Sequence, residues 1–260
     1  MHILITNDDG WGAKGILTLV RLMQQLGHVT VIAPDGARSG QSNAISVGVP
    51  LWLKRLPSPS ADGLEDADIY ITNGTPSDCV KLAINTVFKD KMPDLLVSGI
   101  NHGSNATVNV IYSGTMGACF VAAEQGIPAI GFSICDYLPD ADFSQFEPYI
   151  ISLTKQILAC KHEYGICYNI NAPAGDIRGV KITRQCKGYW SEEFPAQIDE
   201  DGNTYYMLTG HFVNREPEAE DTDQWALEHG YIAVTPTTID MTCHRLFSDR
   251  LIGNKEVGEV

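Results

Sequence analysis

Two adjacent carboxylates, Asp8 and Asp9, stand just beyond the apolar run Ile3-Leu4-Ile5, separated from it by Thr6-Asn7. Neighbouring side chains in a strand point to opposite faces, so both acids can address one cavity only where the chain has left the strand and begun to turn, which Gly10 and Gly12 allow. Held that close, two carboxylates repel unless a cation lies between them, and an all-oxygen shell selects Mg2+ or Mn2+ over zinc. Neutral oxygens able to complete the shell stand in two other segments, the Ser39 hydroxyl and the Asn101 amide carbonyl, with waters filling the rest. For an isolated acid doublet the better explanation is one Asp capping the next helix or turn and the other facing water. The metal reading therefore requires the segments to converge.

The stretch Tyr112-Ser113-Gly114-Thr115 opens a run rich in small residues. Backbone N–H groups at a helix start there, with the Ser113 and Thr115 hydroxyls, would hold a phosphate against the positive end of the helix dipole. Plain N-capping by Ser113 explains the same residues at about even odds. Two carboxylates cancel a divalent cation in formal charge, so helix start and loop amides must supply the remaining attraction for a phosphate dianion. Asn43, Asn105 and the loop N–H groups around Gly40 are the candidates to orient the ester.

These residues need elements that bring them together, and the pattern supplies an α/β fold. Short β-rich runs alternate with helical periodicity, the mark of a mostly parallel sheet covered by helices in a Rossmann-like three-layer core. Strands are predicted over 2–6, 29–33, 67–72, 94–98 and 128–133, with helices over 14–26, 75–88, 113–125 and 146–159. Further strands are expected over 165–171, 179–184 and 231–235. Between them, 189–209 reads as a hairpin arm turning at 199–203. Ligands of open α/β sheets bind beyond the carboxyl ends of the strands, and the segments carrying Asp8, Ser39 and Asn101 each follow such an end. The division expected is a core over 1–185 and an appendage over 186–260 that includes the arm and the closing strand.

Composition narrows the classes. A formal net charge of −14, from 32 acidic and 18 basic residues among 260, repels polyanions, so a nucleic-acid polymer is not expected as a broad-surface partner. No apolar run approaches the ~20 residues of a membrane span, and no basic, then apolar leader pattern opens the chain; a cytoplasmic location and no membrane partner are expected. Seven scattered cysteines without a C-x-x-C pair indicate buried free thiols. His102 would make a useful general acid beside Asn101, although a solvated loop histidine is the plainer reading.

The motifs resemble the SurE family, survival-protein nucleotidases that remove phosphate from nucleoside monophosphates. The resemblance rests on N-D-D-G-W-G-A-K-G-I at Asn7 to Ile16, A-P-D-G-A-R-S-G-Q-S at Ala33 to Ser42 and N-G-T-P-S-D-C-V-K-L-A at Asn73 to Ala83. It continues through P-D-L-L-V-S-G-I-N-H-G-S-N at Pro93 to Asn105, Y-S-G-T at Tyr112 to Thr115 and G-Y-I-A-V-T-P at Gly230 to Pro236. It implies one divalent metal, Mg2+ or Mn2+, per subunit at Asp8, Asp9, Ser39 and Asn101, with a phosphate pocket nearby. It further implies hydrolysis of nucleoside 5′-monophosphates, with 3′-monophosphates also open, and a homodimer or homotetramer built with the 189–209 arm and a helix from His244 to Leu251. Two departures stand out: Asn109 where the family usually carries Asp, and Val121-Ala122 where it carries Glu-Gly. The nucleophile is either metal-activated water or Asp8 itself. The competing class is a phosphorelay receiver-like Mg2+-binding module, disfavoured because the loop S-G-I-N-H-G-S-N lacks a phospho-accepting Asp.

Overall fold

In a computed structural model that describes residues 1–57, 64 and 66–244, the amino-terminal strand β1 (His2–Thr6) lies mid-sheet and sends Ile3 and Ile5 to one face and Leu4 to the other. The chain continues through α1 (Lys14–Met23), β2 (His28–Pro34), β3 (Leu53–Arg55), β4 (Ala67–Thr72), α2 (Pro76–Asn85) and β5 (Leu95–His102). It then forms α3 (Gly114–Glu124), β6 (Ala129–Ile134), α4 (Glu147–Ala159), β7 (Ile166–Ala172) and β8 (Gly179–Ile182). The remaining elements are β9 (Gly188–Ser191), β10 (Ala196–Ile198), β11 (Thr204–Tyr206), β12 (His211–Asn214), α5 (Asp223–Glu228) and β13 (Tyr231–Thr238).

Among the described residues, nine strands form one sheet in the order β3-β4-β2-β1-β5-β6-β7-β13-β8. The pairs from β4 across to β7 are parallel, while β3 and β7–β13 pair antiparallel. Central strands read as unbroken apolar runs because both faces are covered. On one face Ile3, Val31, Val97 and Phe132 pack against Ile16 and Leu19 of α1 and Ile150 and Leu153 of α4. On the other, Leu4, Ile32 and Leu96 pack against Val80 of α2 and Met116 and Ala122 of α3. Val121 and Ala122, the apolar departures from the family pattern, are buried in that second core.

From β1 the chain winds outward through β2 and β4, then returns to place β5 on the opposite side of β1. The β1–β5 seam is therefore the topological switch point, where a crevice opens beyond the strand ends. β5 runs four residues past its expected end at Ser98. A bulge between Ser98 and Asn101 lets the pairing with β6 resume, and Gly99, at φ +123, takes the conformation that the bulge requires. The extension matters because it delivers Asn101 and His102 to the seam. The edge strand β3 was not anticipated: three residues give too little periodicity to read.

The 186–260 stretch supplies both an arm and a core strand. β9 pairs with β12 and β10 with β11, two antiparallel tiers of one long hairpin, while β13 lies between β7 and β8. The helix expected from His244 to Leu251 lies beyond the described residues apart from His244.

The start of α2 follows the sequence signal closely. Thr75 caps it, with its hydroxyl accepting from Asp78 N–H at 3.1 Å, and Asp78 accepts in return from Thr75 N–H at 2.9 Å. Asp78 also accepts from the Ser46 backbone at 3.0 Å and its hydroxyl at 2.7 Å, tying the loop after β2 to this helix. Replacing Asp78 with Ala removes the capping box and both Ser46 contacts, and should cost about 2 kcal/mol of stability in urea titration.

Candidate active site

The acid pair sits at the seam in the predicted turn. Asp8 is 5% exposed, and Asp9 is partly buried. Asp8 accepts a 2.6 Å hydrogen bond from the Thr115 hydroxyl, and Asp9 accepts a long one, 3.4 Å, from His102 N–H at the end of β5. Gly114 allows the first contact: a Cβ there would lie 2.9 Å from that of Asp8, so the start of α3 can press directly on the carboxylate.

The predicted segments converge. Arg38 N–H donates to Asp8 O at 2.6 Å, which fixes the 38–43 loop against the acid turn and sets Ser39 one residue away, exposed. The loop is fastened at its far end by Ser42, whose N–H donates to Tyr112 O at 3.0 Å and whose hydroxyl donates to Ile111 O at 2.6 Å. Asn43 Oδ1 rests against Gly117 in the first turns of α3, where an added Cβ would meet it at 2.9 Å. Asn101, 8% exposed, donates through Nδ2 to Gly103 O at 2.7 Å, which leaves Oδ1 as its uncommitted end. Gly40 lies in the same loop as Ser39, exposed and at φ +71.

Two of the predicted phosphate groups are differently employed. The Ser113 hydroxyl accepts from Met116 N–H at 3.0 Å as the α3 cap, and the Thr115 hydroxyl is given to Asp8. The donors left for an anion are the Ser113 O–H, which its capping bond leaves free, and the backbone N–H groups of Gly114 and Thr115, which precede the first capped amide. Asn105 is 6% exposed and belongs to a buried amide network. Its Nδ2 donates to Ser133 at 2.9 Å, its N–H to Asn171 Oδ1 at 2.8 Å, and its carbonyl accepts from Asn169 Nδ2 at 2.8 Å. One Nδ2 proton of Asn105 stays uncommitted. His102 is partly exposed but held in place: Nδ1 lies 2.7 Å from Leu138 O and the ring packs edge-on to Phe143.

Sequence reading missed the supports. Asn169 and Asn171 alternate on one face of an otherwise apolar strand, and two amides in such a strand signal a buried network. Asp223, 1% exposed, accepts from Thr107 N–H at 2.8 Å and Cys186 N–H at 2.9 Å, joining the loop after β5 to the base of the arm.

The electrostatics fit a cation. Burial pushes Asp8 up to about 6, the Thr115 hydrogen bond opposes this, and Asp9 adds to it. Burial likewise raises Asp9, against hydrogen bonding and charge from His102. No Lys or Arg pairs with either acid among the described residues. On the adjoining strand ends Asn7 Oδ1 and Ser98 Oγ are buried without a hydrogen-bond partner among the described residues. No cluster of three or more His, Cys, Asp or Glu able to hold a metal occurs among the described residues. An ion here would thus be completed by neutral oxygens, the donor set of a hard cation.

A parallel sheet carrying a buried acid pair at its switch point places the chain among α/β enzymes that work at the carboxyl ends of their strands. The family model for survival protein SurE matches residues 3–192. A protein of Flavobacterium psychrophilum named 5′-nucleotidase SurE is 47% identical over 245 residues, 93% of each chain. One of the same name from Phocaeicola vulgatus is 46% identical over 256 residues, 98% of this chain and 97% of its own. The crystal structure of SurE protein from Aquifex aeolicus superposes with a TM-score of 0.82 at 31% identity, covering 97% of this chain and all of the other. The chain belongs to the survival protein SurE family. That membership leaves the receiver-like alternative without support.

The raised Asp8 has a consequence for stability. An acid held above its unfolded value of 3.8 binds its proton more tightly in the folded protein. The stability it contributes is therefore present below about pH 4 and lost as pH rises to about 6, a change of about 3 kcal/mol. Without metal, Asp8→Asn should accordingly stabilise the protein by up to about 3 kcal/mol at pH 7.5 and by nothing measurable at pH 3.5. Thermal melts in chelator at the two pH values check this.

Proposed function

We propose that the chain is a divalent-metal-dependent phosphomonoesterase that converts nucleoside monophosphates to nucleoside and phosphate, and that Asp8, Asp9, Ser39 and Asn101 hold its cation. The observation that carries the reading is a pair of adjacent carboxylates, Asp8 buried and Asp9 partly so, with no Lys or Arg paired to either among the described residues, at the strand ends where this fold binds ligands. The family's nucleotidase naming supports the substrate class.

A bound Mg2+ or Mn2+ supplies polarisation of the phosphoryl oxygens and lowers the pKa of a water. The chain's own groups do the rest. Thr115 fixes one oxygen of Asp8, so its rotamer is set before a ligand arrives. The Gly114 and Thr115 N–H groups, with Asn43 and the loop amides near Gly40, attract the phosphate dianion that a neutralised acid pair no longer repels. A global charge of −14 makes this local compensation necessary. We favour water as nucleophile, because Asp8 is buried and tethered as a ligand would be.

Assembly and location follow as parts of the same reading. The arm exposes Phe194, Ile198, Tyr206 and Leu208, each more than half accessible, a distribution that favours burial against another copy in a homo-oligomer, dimer or tetramer. All seven cysteines are unpaired, in keeping with a reducing, cytoplasmic setting. No helix among the described residues is long and apolar enough to cross a membrane.

The decisive assay measures phosphate release from a panel of nucleoside monophosphates with Mg2+, Mn2+ or chelator. Turnover should require metal and fall at least 1000-fold in Asp9→Asn, in line with loss of a cation ligand from the reacting centre. Rapid acid quench during turnover followed by peptide mapping should find no phosphoryl group on Asp8; an aspartyl phosphate trapped there would make Asp8 the nucleophile. Absence of metal-dependent release from every nucleotide would remove the proposed activity.

A further inference from the structure

Between the loop that follows β5 and the arm lies a cleft of about 310 Å³ that the proposed chemistry does not use. Its near edge is Ser104, three residues beyond Asn101, a distance of at most about 10 Å along the chain. Tyr137 packs against Gly103 at that edge, Trp190 and Phe212 of the arm form the opposite wall, and Gln224 of α5 closes the far end. Three aromatic side chains with a few polar groups, next to a phosphate site, make up the usual lining of a small-molecule pocket.

The wall is held by one residue. Asn109 donates through Nδ2 to Ser104 O at 3.1 Å and accepts through Oδ1 from the Trp190 indole N–H at 2.7 Å. Its amide bridges the loop after β5 to the arm and uses both ends to do so. Trp190 faces Phe212 across the β9–β12 pair, their rings edge-to-face at 6.4 Å. An aspartate at 109 could accept from the indole but could not donate to Ser104 O, and would place a negative charge between that carbonyl and the cleft.

Resting on the nucleotidase reading, we infer that this cleft is the nucleoside subsite, that Trp190 is the aromatic surface on which the base stacks, and that Asn109 is the positioning residue that fixes the indole. The class of ligand is a nucleobase with its sugar. The volume suits one such unit, and the short Asn101–Ser104 link keeps the cleft's edge within about 10 Å of a proposed cation ligand, inside the reach of one nucleotide. Stacking tolerates every base because each has a π-face, so the subsite confers preference for nucleotides over simple phosphate esters more than for one base over another.

The test compares kcat/KM for AMP and UMP with that for glycerol 2-phosphate, which carries no base. In Trp190→Ala the nucleotide-to-glycerol-phosphate ratio should fall at least tenfold, mainly through KM. Trp190→Phe, which keeps a ring, should restore most of it. Asn109→Asp should lower the same ratio while Trp190 remains present. Should Trp190→Ala fail to fold, adenosine quenching of tryptophan emission in the wild type, diminished in Trp190→Phe, serves instead. An unchanged ratio in Trp190→Ala, or equal losses in the Ala and Phe variants, would overturn the subsite. If the wild type hydrolyses glycerol 2-phosphate but no nucleotide, the nucleotidase reading itself falls; nucleotide turnover with an unchanged ratio sinks the subsite alone.

Discussion

Two neighbouring carboxylates withdrawn from water, with no Lys or Arg paired to either among the described residues, are a standing cost to this fold. Asp8 cannot relieve that cost by turning outward, because α3 closes over it through Gly114 and Thr115 holds one of its oxygens. Much of the surrounding architecture serves to hold the acids there. β1 and β5 pair side by side at the switch point, the Gly99 bulge re-aims the end of β5, and the 38–43 loop is fastened to the acid turn at one end and to residues 111 and 112 at the other. A fold selected for stability alone would place apolar or singly charged residues at these positions. Keeping the pair is rational if a divalent ion restores the balance.

The same logic connects charge to substrate. Once a cation cancels the acids, the seam is nearly neutral and the positive end of α3 dominates the local field. In a chain with a net charge of −14 this is a place where a parallel-sheet crevice, a helix start and uncommitted amide donors coincide. The cleft beneath Trp190 then extends the site from the ester toward the rest of the substrate molecule. Asp223 links the two regions structurally, because it binds both Thr107 in the loop and Cys186 at the base of the arm.

Much of this was legible in the sequence, for physical reasons. The central strands announce themselves as unbroken apolar runs because both faces are buried, and α2 and α3 carry capping residues whose geometry leaves few alternatives. The acid pair and the Ser39 and Asn101 positions could be nominated because each lies at or beyond the carboxyl end of a strand on the same side of the sheet. What stayed hidden depends on contacts distant in sequence. The commitment of Thr115 to Asp8 spans 107 positions, the Asn105–Asn171 bond 66, and the Asn109–Trp190 bond 81. No local pattern encodes these, so the sequence alone does not show that the Thr115 hydroxyl and the Asn105 amide also hold the protein's own framework.

The central claim concerns where a hard cation sits. Crystals grown in Mn2+ and measured at the manganese absorption edge locate it directly by anomalous scattering. The account predicts one strong peak at about 2.1 Å from carboxylate oxygens of both Asp8 and Asp9, with Ser39 Oγ and Asn101 Oδ1 turned toward it. A peak elsewhere, or none at the seam with the acids bare, would contradict it.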